Sequence, residues 1–288
     1  MLGGLARRVS LVEKLGSEDR SLLVVDSGNL FTGALAGANQ KQSHIKARLI
    51  SRAYMRMGIA AINVGDLDLL QGLAFLRKEA SRGLPLVSSN LVDPSTKTSI
   101  FKPYIIKRVG SIRVAFFGLL SDDIRTDIYK EAGKTFLVAE PVKTAREMIG
   151  LLRGKADVII LLSALHSDRQ QEVIRAAPGI HFVLGGRDSR YIQSPLWEGQ
   201  TPILESYKYG MYAGKLQLTF TNASSPYSYE RTEEQTRQQA SSGNELRLTG
   251  EPLSGNNRFR WTLIPLDMSI PEDKEVSGWI RKAGIEKD

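Results

Sequence analysis

The sequence predicts an α/β fold, a sandwich of two sheets with helices packed outside them. Three observations carry that reading. Short apolar runs such as Val158-Ile159-Ile160-Leu161-Leu162 have the length and β-branched content of buried strands. Stretches with apolar residues three and four apart alternate with those runs, as helices do between strands. Gly110-Ser111 separates two further apolar runs and signals a hairpin, so the sheets are mixed.

Taken in order, Leu5, Val9, Val12 and Leu15 share one face of an opening helix. Ser21 to Asp26 reads as a strand that runs into the turn Ser27-Gly28-Asn29. Residues 42–58 read as a helix with Ile45, Leu49, Ala53 and Met57 on its buried face and Gly58 as its stop. Ile59 to Val64 is a strand, Leu69 to Arg82 a helix and Leu84 to Asn90 a strand. Tyr104 to Val109 and Ile112 to Phe117 flank the hairpin turn. Strands follow at 157–163, 180–184 and 203–205, with helices near 141–153 and 168–176, and an alternating strand spans 212–220. Residues 221–258 form a polar excursion rich in Ser, Gln and Asn, within which 229–239 reads as an exposed helix or a loop. Phe259 to Leu266 returns as a strand, and Pro271 opens a terminal helix containing Trp279.

At 288 residues the chain can bury a full core as a single domain over 1–288. No run of about 18 apolar residues is present, so no membrane-spanning helix is expected. The formal charge of +8 suits anionic partners, but the basic residues are scattered, as at Lys46, Arg48, Arg52 and Arg56. That pattern reads as a solvated face and predicts no specific nucleic-acid binding. The absence of cysteine excludes disulfides and thiolate metal sites. No signal-peptide pattern opens the sequence.

Five stretches carry the functional signal: Gly3-Gly4-Leu5-Ala6-Arg7-Arg8, Asp26-Ser27-Gly28-Asn29, Val64-Gly65-Asp66-Leu67-Asp68, Leu162-Ser163-Ala164-Leu165-His166 and Gly185-Gly186-Arg187-Asp188-Ser189. In this order and spacing they resemble the catalytic domain of the 5′-nucleotidase family, within the calcineurin-like metallophosphoesterases. Pro85 to Asn90, Phe101-Lys102-Pro103-Tyr104 and Tyr209 to Gly214 add non-catalytic matches, so that the resemblance covers about residues 3–220 and returns at 259–282. It implies a four-layer α/β/β/α sandwich of two mixed sheets. It also implies that a leading strand with an Asp-x-His motif would precede residue 1, and that the family's C-terminal nucleotide-binding domain lies outside this chain.

Enzymes of that family hold two metals about 3.5–4 Å apart, so that a bridging hydroxide can attack phosphorus in line. The chemistry needs a bridging carboxylate, neutral imidazoles and an amide oxygen. Against the family pattern, Asn29 stands at the bridging Asp, Asp66 at the Asn ligand, Leu67 at the His that assists the phosphoryl group and Asp68 at a Glu. Ala164, Arg187 and Ser189 stand at three His ligands, with His166 two residues past the first and Asp188 between the others. No catalytic residue is assigned and no metal or other cofactor is expected.

The resemblance therefore implies a phosphoesterase-fold domain that has lost dinuclear hydrolysis and acts as a binding or scaffold module, in the periplasm or cell envelope. The degenerate pattern is similar to modules found beside or fused to multihaem cytochromes, which implies a protein partner in a bacterial envelope assembly. Two alternatives stay open. One is a divergent phosphoesterase with a single metal on Asp66, Asp68 and His166, joined by Asn29 or Asp188. The other is an anion-binding module in which Arg187 and Arg190 hold a phosphate.

Overall fold

The computed structural model describes residues 3–35, 40–123, 134–222, 225–232, 235 and 256–284. Its centre is a six-stranded mixed sheet in the order β10 (Leu196–Glu198), β11 (Thr201–Glu205), β9 (Phe182–Gly185), β8 (Val158–Ala164), β6 (Ile112–Leu120) and β5 (Tyr104–Val109). Strands β6, β8, β9 and β11 run parallel, while β5 and β10 pair antiparallel at the two edges. Val114, Phe116, Val158, Ile160 and Leu162 point to one face of this sheet. Ala115, Phe117, Ile159 and Leu161 point to the other, where α5 (Pro141–Leu152) and α6 (Ser167–Ala176) cover them. The period of two, with both sets apolar, is why these strands read as continuous runs: both faces are buried.

The inner face meets two smaller sheets rather than one. The first is the parallel trio β1 (Val25–Asp26), β2 (Ala61–Asn63) and β3 (Leu86–Val87). The second is β12 (Tyr212–Thr219), β14 (Asn257–Pro265) and β13 (Tyr227–Tyr229). Both contribute to one inter-sheet core with Ala61, Val87, Tyr227, Phe259 and Trp261. Fully buried rings such as Phe182 and Phe259 anchor it, each worth about 1.5–3 kcal/mol relative to an exposed ring. Strands β4 (Leu91–Val92) and β7 (Leu137–Val138) form a separate antiparallel pair. Outside the trio, α1 (Leu5–Glu18), α3 (Gln40–Arg56), α4 (Leu73–Ser81) and α7 (Lys274–Lys282) close the fourth layer over Ile62, Val64 and Phe31. A short α2 (Thr32–Leu35) and a 3-10 turn (Leu67–Gln71) complete that side.

The four layers are as expected, and several local expectations change. The buried stripe of α3 carries Ser43, Ala47, Ser51 and Tyr54 beside Ala53 and Met57, while Ile45 is exposed. Polar Ser43 and Ser51 tolerate burial because Ser43 bonds Gln71 and Ser51 donates to the Ala47 carbonyl, which an apolar periodicity cannot anticipate. The terminal helix begins at Lys274, capped by the Asp273 carboxylate on the Val276 N–H, so Pro271 precedes the first turn instead of occupying it. In the polar excursion, Tyr227–Tyr229 is a strand parallel to β14. Of the helix expected over 229–239, residues 233–234 and 236–239 lie outside the described residues.

Strands β8 and β9 are joined by an exchange between main chain and imidazole. The His181 N–H donates to the Ile159 carbonyl at 2.9 Å, and His181 Nδ1 accepts from the Ile159 N–H at 3.0 Å. Burial lowers the His181 pKa below its ordinary 6.5, because a charged ring there would lose solvation. The unfolded chain then binds the proton first as pH falls. Stability is fully present above about pH 6.5 and declines as pH drops through that value. Between pH 7.5 and 5 the parent should therefore lose melting temperature relative to His181→Gln, which keeps an acceptor for Ile159 and does not titrate there, while every other titration is common to both.

Candidate functional site

The loops at the carboxyl ends of β1, β2, β8 and β9 converge, as strand ends do in α/β sheets. Two glycines permit the approach. A Cβ on Gly65 would lie 2.2 Å from Asn29 Oδ1, and one on Gly186 would lie 2.5 Å from Ser27 Oγ. Asn29 takes a left-handed backbone at φ 61, which its short polar side chain tolerates. Its Oδ1 accepts from the Leu67 N–H at 2.9 Å. The residue that the resemblance sets at the bridging position is therefore a hydrogen-bonded staple between two loops.

Asp68 is the second staple. It is buried, and its carboxylate accepts three backbone N–H groups, from Asn29 and Phe31 at 2.8 Å and from Gly65 at 2.9 Å. Burial pushes its pKa up to about 7, with the negative charge of Asp26 adding to the rise and the three N–H donors opposing it. Both oxygens face protein donors, so Asp68 binds the chain to itself.

Asp66, Arg187, His166 and Asp188 form a connected row. Arg187 Nη1 bonds Asp66 Oδ2, and Arg187 Nε donates to His166 Nε2 at 3.3 Å. His166 Nδ1 lies 3.0 Å from Asp188 Oδ1. With Nε2 receiving the guanidinium hydrogen, Nδ1 is the ring donor toward Asp188. Asp188 Oδ2 accepts from both the N–H and the hydroxyl of Ser167, at the start of α6. Burial would raise the Asp188 carboxyl, but the hydrogen bonds from Ser167 and His166 hold it below its ordinary value. Arg187 therefore pairs with Asp66, not with its neighbour Asp188. The Arg187 side chain is 19% exposed and that of Asp66 7%, so the pair is largely shielded from solvent.

Ala164 ends β8, fully buried, in the apolar cluster that also holds Phe31, Val64 and Leu120. Leu67 is half-buried and supplies its N–H to Asn29. Ser189 sits half-buried at φ 55 in the loop after β9. Arg190 makes a forked pair with buried Glu205 through Nε at 3.0 Å and Nη2 at 2.5 Å, and its N–H also donates to Glu205 at 2.9 Å. Both guanidinium groups assigned to an anion in one alternative are thus committed to carboxylates.

Pattern reading missed the groups that hold the first loop from behind. Asp26 accepts from the Gly28 N–H at 3.0 Å and from the Tyr54 hydroxyl at 2.9 Å, while Arg8 Nη1 donates to that same hydroxyl. Burial raises the Tyr54 pKa and keeps the phenol protonated, hence a donor to Asp26. Asn63 donates its amide to the carbonyls of Ser27 and Leu119, joining the trio to β6. Tyr54 lies in the last turn of α3 and Asn63 at the end of β2, where nothing local marks their partners.

The residues do not fit the two metals that the family resemblance implies. Asn29 and Asp68 spend their oxygens on backbone donors, Ala164 has no donor atom, His166 Nε2 receives a cationic hydrogen, and Asp66 faces a guanidinium. Among the described residues, no three His, Asp or Glu side chains gather as a metal-holding group.

No family model matches the chain. It is 24% identical over 207 residues to a 2′,3′-cyclic-nucleotide 2′-phosphodiesterase/3′-nucleotidase of Salmonella typhimurium, covering 64% of this chain and 32% of that protein. It is 22% identical over 309 aligned positions to a snake venom 5′-nucleotidase of Gloydius brevicauda, covering 99% of this chain and 46% of the other. The solved structure of a sulfate thiohydrolase, SoxB, of Thermus thermophilus superposes with a TM-score of 0.76 at 15% identity, over 98% of this chain and 46% of that one. The class is a calcineurin-like metallophosphoesterase fold. Within it, the sequence relatives described are nucleotidases, and the chain is similar to the 5′-nucleotidase family. It spans under half the length of the two sequence relatives described.

Proposed function

We propose that this domain has lost the metal-dependent hydrolysis of its family and serves as a binding or scaffold module. One observation carries the reading: Arg187 bonds both Asp66 and His166 Nε2, the two side chains best able to hold a cation in this cleft. A fixed positive charge there compensates the carboxylate without a metal, since guanidinium stays protonated at ordinary pH. It also repels a divalent ion. The single-metal alternative needs Asp66, Asp68 and His166, each of which has protein partners in the arrangement described. Among the described residues no helix is long and apolar enough to cross a membrane. An envelope setting and a protein partner there belong to the same proposal and rest on the family resemblance.

The test is elemental analysis of the purified chain with a hydrolysis assay on 5′-AMP and p-nitrophenyl phosphate, with added manganese or zinc. The expected result is no stoichiometric metal and no phosphate release above background. About two metal ions per chain with chelator-sensitive phosphate release would overturn it.

A further inference from the structure

Beside the cleft lies a surface that the lost chemistry does not explain. After β11 the chain turns through Tyr207, Lys208, Tyr209 and Gly210, with Tyr207 at φ 68 and Tyr209 at φ 54. Two bulky aromatic residues in the left-handed region are strained, and such strain persists where the surroundings impose it. The Tyr207 ring meets Tyr191 at 5.7 Å and Tyr212 at 6.2 Å, and Tyr191 meets Tyr212 at 5.1 Å. Lys208 Nζ stands 5.5 Å from the Tyr207 ring centre and 5.4 Å from that of Tyr209. On the neighbouring segment, the Leu266 N–H donates to the Met211 carbonyl, and Met268 follows two residues on. Tyr209 is 81% exposed, Met268 80% and Tyr191 46%, the three largest values among the large apolar side chains of the described residues. The Tyr207 N–H donates to the Arg190 carbonyl, so this patch adjoins the row through Arg187.

We infer that this tyrosine and methionine patch is a docking surface for an acidic protein segment that presents an apolar anchor side chain. The inference rests on reading the domain as a binding module and names the chemistry of its partner. Rigid aromatic rings and an adaptable thioether are the side chains that carry binding energy at protein interfaces. Charge selects the partner. Of the carboxylates nearby, Glu205 is paired with Arg190 and Glu272 with Arg7, while the hydrogen bonds from Ser269, aided by the positive charge of Arg7, hold the Asp267 carboxyl below its ordinary pKa and so charged. Lys208 is exposed and has no carboxylate within ion-pair distance among the described residues, on a chain of formal charge +8. A segment with Asp or Glu beside the anchor would meet Lys208 and approach a positive molecule favourably.

The probe is a random peptide library displayed on phage, selected on the intact chain and counter-selected on the double variant Tyr209→Ser with Met268→Ser. Both side chains are exposed, so the variant should melt like the parent. Expected are peptides with an apolar residue flanked by Asp or Glu, which bind the parent at least about tenfold tighter than the variant. Their affinity should fall as salt rises from roughly 0.05 to 0.5 M, and Lys208→Glu should weaken it. Peptides that bind parent and variant equally, or a basic consensus, would overturn the proposal. So would sedimentation showing that the parent dimerises and the double variant does not, which would make a second copy the occupant. Arg187 and Asp66 are untouched in these variants, so metal analysis tests the loss of hydrolysis separately.

Discussion

Asp68→Ala should destabilise the domain by about 3–5 kcal/mol, seen as a lower urea midpoint with little change in slope. Three backbone N–H groups, of Asn29, Phe31 and Gly65, lose their acceptor together. Each buried donor left without a partner costs about 1–3 kcal/mol, and neighbouring losses add less than fully. Asp68→Asn should cost roughly half as much, since one oxygen still accepts while the amide turns hydrogens toward donors. The contrast separates this role from a metal-binding one: a ligand would show its loss in metal content and leave the apo protein's stability nearly unchanged. If both variants unfold at the parental midpoint, Asp68 does not hold these loops together.

Arg187→Ala should lower stability by about 2–4 kcal/mol, because it strands the shielded Asp66 carboxylate; a fully buried pair would cost more. It also frees His166 Nε2, the atom that accepts from Arg187 in the parent. Zinc or manganese should therefore raise the melting temperature of the variant and not that of the parent, as a ligand selective for the folded state does. Arg187→His should not restore hydrolysis, since Asn29, Leu67 and Ala164 still supply neither bridging carboxylate nor imidazole. If Arg187→Ala melts like the parent with and without metal, Arg187 is an ordinary surface residue and the charge-compensation account fails.

Much of the architecture was legible because it is written in short-range patterns. The short, β-branched apolar runs of β6 and β8 read as strands and are covered on both faces, and Gly110-Ser111 marked the hairpin that joins β5 to β6. The shorter strands β4, β7, β10 and β13 were not, being two or three residues long and stabilised by pairing partners rather than by a period of their own. Ile45 on α3 shows the same limit from the other side. Its spacing fits a buried face, but the stripe that is buried runs through Ser43 and Ser51, whose hydroxyls find partners only in the folded chain.

The sequence by itself determined the class of fold and the absence of the family's bridging carboxylate at Asn29 and of its imidazoles at Leu67, Ala164, Arg187 and Ser189, because a group missing from a side chain needs no geometry to establish. Tertiary structure alone decided what took its place. Asp66 and Arg187 lie 121 positions apart, and Asp68 reaches back 39 to Asn29. The nearer choice for Arg187 was Asp188, which instead turns its carboxylate to the first turn of α6 and to His166. Which carboxylate a cation meets depends on strand order and loop approach, set by the parallel trio closing against β8 and β9, and no local spacing encodes that distance.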